Sequence, residues 1–249
     1  MFDSTIPELL SIDQKRLSTY LQLLEQDESL FKRLGISIGI NLGLISLKTI
    51  NPEGLDEINT IRKLKLLHKK LKKSDALNEI RATSYDDIYV NNKHFFLEKN
   101  IKARKFFVPV NIEGAKDIDH LIVWVCEPDE ITPYENFEEK GSYLFLIESF
   151  WEDDNYHAMI SGCSAFQWVV KNAFEKPDNV WHKHYRSDDR DPIKCLIDLG
   201  AIDQGEKIIS TLYRRRYMSN EQMYKLKGIQ YRGYDVVGYP VAIYSEKMT

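Results

Sequence analysis

The stretch Trp181-His182-Lys183-His184-Tyr185-Arg186-Ser187-Asp188-Asp189-Arg190-Asp191-Pro192 is the densest set of side chains able to hold a metal ion. On a strand over 180–185, His182 and His184 share one face, because side chains alternate along extended backbone. Two imidazoles and a carboxylate from Asp188, Asp189 or Asp191 could hold a divalent metal, which would polarise a phosphoryl oxygen or activate water. That is the chemistry of a metal-dependent hydrolase, such as a phosphodiesterase or nuclease. The same letters also suit a solvated turn, since Asp-Asp-x-Asp-Pro is turn-forming.

A second cluster is Glu148, Glu152, Asp153 and Asp154, followed by His157. Paired carboxylates divide acid and base roles when their surroundings separate their pKa values. As a loop between two strands, the cluster needs no chemistry at all. The clearest Glu-x-Lys, Glu138-Glu139-Lys140, runs into Gly141 and reads as a turn. Cys163 or Ser164 could be a nucleophile at a strand-to-helix turn, or simply a cap or a small buried residue. The phosphate-binding glycine motifs, His-Glu-x-x-His and Gly-x-Ser-x-Gly are absent. No complete catalytic signature is present.

Charge patterning is the stronger signal. Arg62 to Lys73 carries seven cations and no acid. Lys207 to Arg232 carries seven more against Glu221 alone. Between them, Glu113 to Asp154 holds thirteen acids and two bases. The formal net charge of −4 conceals this separation. Fields of one sign steer partners of the other. The second basic segment interleaves aromatics, with Tyr217 and Tyr231 among Arg214, Arg215, Arg216, Lys225, Lys227 and Arg232. Cations that follow a phosphate backbone while rings stack on unpaired bases form a single-strand binding surface. On the first segment, Lys65, Lys69 and Lys72 are the corresponding candidates. A solvated lysine face and ordinary strand tyrosines give the same letters.

These residues need elements to place them. Leu17, Leu21 and Leu24, continuing to Leu34, repeat at helical spacing, and Ser11 with Gln14 reads as a capping box. Asn51-Pro52 opens a second helix with Leu55, Ile58, Ile61, Leu64, Leu67 and Leu71 on one stripe. Between them, Gly35–Leu47 reads as a strand or a short buried helix. The uncharged run from Leu34 to Leu47 has 14 residues, short of the ~18–20 a membrane span needs. Strands follow over 86–90, 94–98, 106–112, 121–126, 143–150 and 157–161, with Pro109 marking an edge strand or bulge. Helices are expected from 163 to 174, 192 to 199 and 220 to 227, the last capped by Ser219. Two short strands, over 229–237 and 239–244, close the chain.

The expectation is an α+β protein: a helical region over residues 1–82, then a domain over 83–249 with a mostly antiparallel sheet and packed helices. Cys126, Cys163 and Cys195 are too few and too scattered for a disulfide framework. With no signal peptide visible at MFDSTIPELL, a reducing, cytoplasmic setting is expected. The sequence points to a non-catalytic accessory subunit with a protein partner or a homo-oligomer, DNA or RNA contact through its basic surfaces, no membrane and no cofactor. The metal-dependent hydrolase is the alternative, with a divalent ion as its cofactor.

Overall fold

A computed structural model describes residues 8–26, 55–79, 81, 94–109, 120–128, 140–148, 192–198, 200–218, 222–226 and 229–245. Its elements in chain order are β1 (Glu8–Ile12), α1 (Gln14–Gln26), α2 (Leu55–Lys73), β2 (Leu77–Asn78), β3 (Phe95–Pro109), β4 (His120–Cys126), β5 (Lys140–Ile147), α3 (Pro192–Asp198), β6 (Ile202–Met218), β7 (Gln222–Leu226) and β8 (Ile229–Ser245).

The α+β expectation is overturned. Most described residues are in strands, and five of the strands close on themselves. Strand β3 pairs with β4, β4 with β5, β5 with β8, β8 with β6, and β6 returns to β3. Every contact in that ring is antiparallel except β5 with β8. Numbered along the barrel, the order is 1-2-3-5-4, with a helix between the third and fourth strands. That is the connectivity of the OB-type Greek-key barrel. A barrel requires strands that bend and exchange neighbours. The three long strands do so at register shifts in two ladders: β3 with β6 between Glu98 and Ile101 and between Arg104 and Phe106, and β6 with β8 between Leu212 and Tyr213 and between Arg215 and Tyr217. Bulges of this kind sharpen local twist. Asn100, at φ 54°, occupies the first of them.

Strand alternation sorts the core. Phe96, Ala103, Trp124, Cys126, Leu144, Leu146, Ile209, Tyr213, Val236 and Ile243, drawn from all five strands, pack together as the barrel interior. Tyr213 stacks on Phe96 with ring centroids 5.4 Å apart. Its ring needs the space left by Gly238, where a Cβ would overlap it. Phe95, Leu97, Leu212 and Tyr244 point outward and receive Leu17, Leu21 and Leu24 of α1 and Leu64, Leu67 and Leu71 of α2. Of the two helical stripes expected from the spacing, Leu17, Leu21 and Leu24 of α1 and Leu64, Leu67 and Leu71 of α2 bury in one apolar cluster with the barrel wall; Leu34 lies outside the described residues. Each such leucine is worth about 1.5–3 kcal/mol on burial.

Several local expectations change. Ser11 lies in β1, and the N-cap of α1 is Asp13: its carboxylate accepts from the Arg16 N–H at 2.8 Å and its carbonyl from the Leu17 N–H at 2.9 Å. Residues 95–98 and 106–109 of the segments expected over 94–98 and 106–112 are parts of the single strand β3, and 110–112 lie outside the described residues. Pro109 ends that strand opposite His120, beyond the last β6 partner at Phe107, so no second ladder needs its missing N–H. The helix expected at 220–227 is the strand β7, paired antiparallel with β8. The two short closing strands are one, β8. The expected elements over 86–90, 157–161, 163–174 and 180–185, and the Gly35–Leu47 segment, lie outside the described residues. Among the described residues no helix is long and apolar enough to cross a membrane.

Candidate functional site

Barrels with this connectivity bind oligonucleotides and oligosaccharides across the outer face of strands two and three and through the loops joining strands 1–2 and 4–5. Here strands two and three are β4 and β5. Their outward residues Val123, Val125, Tyr143, Phe145 and Ile147 are as buried as the interior ones. That face is closed, and the connection between barrel strands four and five is the one between β6 and β8.

The second basic and aromatic segment is that connection. β6 runs along the barrel wall to Met218, opposite Val236, and β7 continues the same ladder from Gln222, opposite Gly233, to Leu226, opposite Ile229; on its other side β8 pairs with β5 from Arg232 to Gly238. Only positions 227 and 228 separate β7 from β8, the length of a two-residue hairpin connection. The ladder places Tyr224 opposite Tyr231, Lys225 opposite Gln230 and Met223 opposite Arg232. Arg214, Arg215, Arg216, Tyr217, Lys225, Tyr231 and Arg232 thus belong to one antiparallel arm. Lys227 lies outside the described residues.

At the root of the arm the cations are held rather than splayed. Arg214 and Arg215 are half-buried. The Arg215 guanidinium lies 5.8 Å from the Phe96 ring centroid, a cation–π contact, and the Arg215 backbone N–H donates to the His94 carbonyl at 2.9 Å. His94 is itself half-buried, with its Nε2 shielded. Burial, then Arg215 and Arg214, push its pKa down to about 4.

Beneath them sits a buried network that the sequence reading missed. Arg81 grips Glu98 through Nε at 2.9 Å and Nη2 at 2.7 Å, and its Nη1 donates to the Glu127 carbonyl at 3.0 Å. The Tyr213 hydroxyl donates to the other Glu98 oxygen at 2.6 Å. Burial alone would lower the Arg81 pKa, but Glu98 outweighs it and the guanidinium stays charged. Burial and the Glu98 charge raise the Tyr213 pKa, keeping the phenol neutral and donating. The network closes one end of the barrel. Glu98, two residues beyond Phe96 on an inward-facing stretch of β3, was the available signal.

The opposite end holds Glu148, the acid–base candidate. Its carboxylate accepts from the Trp124 indole N–H, and Lys105 Nζ stands 3.9 Å away, 5.0 Å above the Trp124 ring. Burial raises the Glu148 pKa, against Lys105 and the hydrogen bonds of Trp124 and Ser11. Its described partners are structural ones, and Glu152, Asp153, Asp154 and His157 lie outside the described residues. No protein-family model, curated protein or solved structure matches this chain.

The remaining candidates divide clearly. Lys65, Lys69 and Lys72 are exposed on α2. Lys72 pairs with Glu79 at 3.4 Å, outside the acidic block. The metal candidates His182, His184, Asp188, Asp189 and Asp191 lie outside the described residues. Among the described residues no three His, Cys, Asp or Glu side chains come together as metal ligands.

Proposed function

We propose that this protein is a non-catalytic binding module that holds single-stranded nucleic acid along its β6–β7–β8 arm, as an accessory subunit of a larger assembly. One observation carries the reading: the cationic and aromatic segment is the hairpin between barrel strands four and five, an element that barrels of this connectivity use for oligonucleotides. The barrel alone would not license this, because one fold hosts many functions. The coincidence of that element with Arg214–Arg216, Lys225, Arg232 and three tyrosines gives the argument its chemistry.

Titration of fluorescent single- and double-stranded oligonucleotides at rising salt tests it. The reading expects tighter binding to the single strand, with log affinity falling linearly in log salt. Tyr231→Ala should weaken single-strand binding more than duplex binding, since stacking is worth about 1–3 kcal/mol per base. Absence of binding at low salt, or binding indifferent to salt, overturns it.

A further inference from the structure

We infer that the outward face of α2 is a second contact surface for a nucleic-acid phosphate backbone, built on Arg62, Lys65, Lys69 and Lys72 and extended by Lys99 of β3. The inference rests on the nucleic-acid reading above and assigns it a further element, remote in sequence from the arm.

The helix divides sharply. Ile61, Leu64, Leu67 and Leu71 are buried, whereas Arg62, Lys63, Lys65, Lys69, Lys72 and Lys73 are exposed. Amphipathicity explains the existence of a polar face but not its single sign. The helix dipole favours cations only in the last turn, which accounts for Lys70, Lys72 and Lys73. Arg62 and Lys65 lie well upstream of that turn. They also add like-charge neighbours at helical spacing: Arg62 with Lys65, Lys65 with Lys69, and Lys69 with Lys72 and Lys73. The helix therefore presents an exposed row of cations along its length, which suits a polyanion.

The surroundings strengthen the field. Lys99 is exposed at the bulge that Asn100 creates in β3. Half-buried His68 of α2 has its pKa lowered first by burial, with Lys72 and Lys99 acting in the same sense and Glu79 opposing them. The Lys72–Glu79 pair is 69% and 60% exposed, so water and salt screen it. Arg62 to Lys73 spans about 17 Å of helix axis, a length over which one strand of a duplex presents about five phosphates. Charge complementarity over that length favours a nucleic-acid backbone as the occupant.

The test is the salt dependence of oligonucleotide affinity for the full chain and three variants. Lys65→Gln/Lys69→Gln/Lys72→Gln should lower the slope of log affinity against log salt by about two to three, because each phosphate contact contributes about 0.7–0.9. Lys65→Arg/Lys69→Arg/Lys72→Arg should keep the parent slope. Thermal melting of the glutamine variant checks the fold and should stay close to the parent, since all three side chains are exposed and the Lys72–Glu79 pair is screened. If the glutamine variant keeps the parent slope while Arg214→Gln/Lys225→Gln/Arg232→Gln lowers it, the α2 surface is rejected and the arm stands. If the parent binds no oligonucleotide, both readings fall. If poly-glutamate or phosphatidylserine vesicles bind α2 and oligonucleotide does not displace them, nucleic acid is the wrong occupant.

Discussion

The Tyr213 hydroxyl of β6 donates to the Glu98 carboxylate of β3 at 2.6 Å, inside the barrel end that Arg81 closes from outside the strand ring. Arg81 and Glu98 side chains are only 8% and 5% exposed. A buried pair of this kind is costly to break from one side, because the survivor stays charged away from water.

Arg81→Met should therefore destabilise the protein by about 3–5 kcal/mol in urea unfolding. Arg81→Met combined with Glu98→Leu should cost less than Arg81→Met alone. A double variant as unstable as the sum of its parts would show that the two groups are not coupled.

Gly238→Ala should destabilise by about 1–3 kcal/mol, because the added methyl meets the Tyr213 ring and the packed interior cannot yield freely. In a Tyr213→Leu background the same alanine should cost much less. Equal cost in both backgrounds would remove the steric explanation.

His94 makes stability depend on pH. Its folded pKa of about 4 lies below the ordinary 6.5, so the unfolded chain binds the proton more readily. The contribution is complete above pH 6.5 and is lost as pH falls from there through about 4. Urea midpoints at pH 7.5 and 5 should separate in the parent, and His94→Gln should narrow the gap. Glu148, raised by burial, acts in the opposite sense, losing stability as pH climbs through its folded pKa. The comparison must therefore be made within the His94 pair. An unchanged gap would show that His94 is not the titrating group.

Asp13→Ala should cost about 1 kcal/mol through loss of the α1 cap, and Asp13→Asn should retain most of it. Guanidinium unfolding separates the two. Equal losses would implicate the 3.1 Å ion pair with Arg16 in place of the cap.

What could be read in advance was local. Leu17, Leu21, Leu24 and the Ile61–Leu71 stripe follow the 3.6 period, and each buries as expected. β4 was legible as a short apolar run. Closure was not, because it depends on β3, β6 and β8 each exchanging partners at bulges that no periodicity announces. Gly238 and Pro240 look like strand breakers, yet Gly238 makes room for Tyr213 and Pro240 stands at a register shift. β6 is hard to see in the letters, because the apolar run Ile209–Tyr213 leads directly into Arg214–Arg216. At 220–227 a cap-like Ser219 outweighed the short span to β8, and tertiary pairing settled the segment as a strand. Charge segregation marked residues of α2, β6, β7 and β8 but not the pairing of β6 and β7 with β8. It gave no hint of Arg81 with Glu98, whose partners lie on different elements.

β8 pairs with β1, β5, β6 and β7, and without it neither β5 nor β6 has its second barrel neighbour. On a ribosome, β3, β4 and β5 emerge long before it, as a sheet with bare edges and an unfilled interior. Their apolar faces must wait for about eighty further residues to be synthesised. Such contacts between distant positions form slowly. Stalling translation between β5 and β8 should therefore leave a protease-sensitive intermediate.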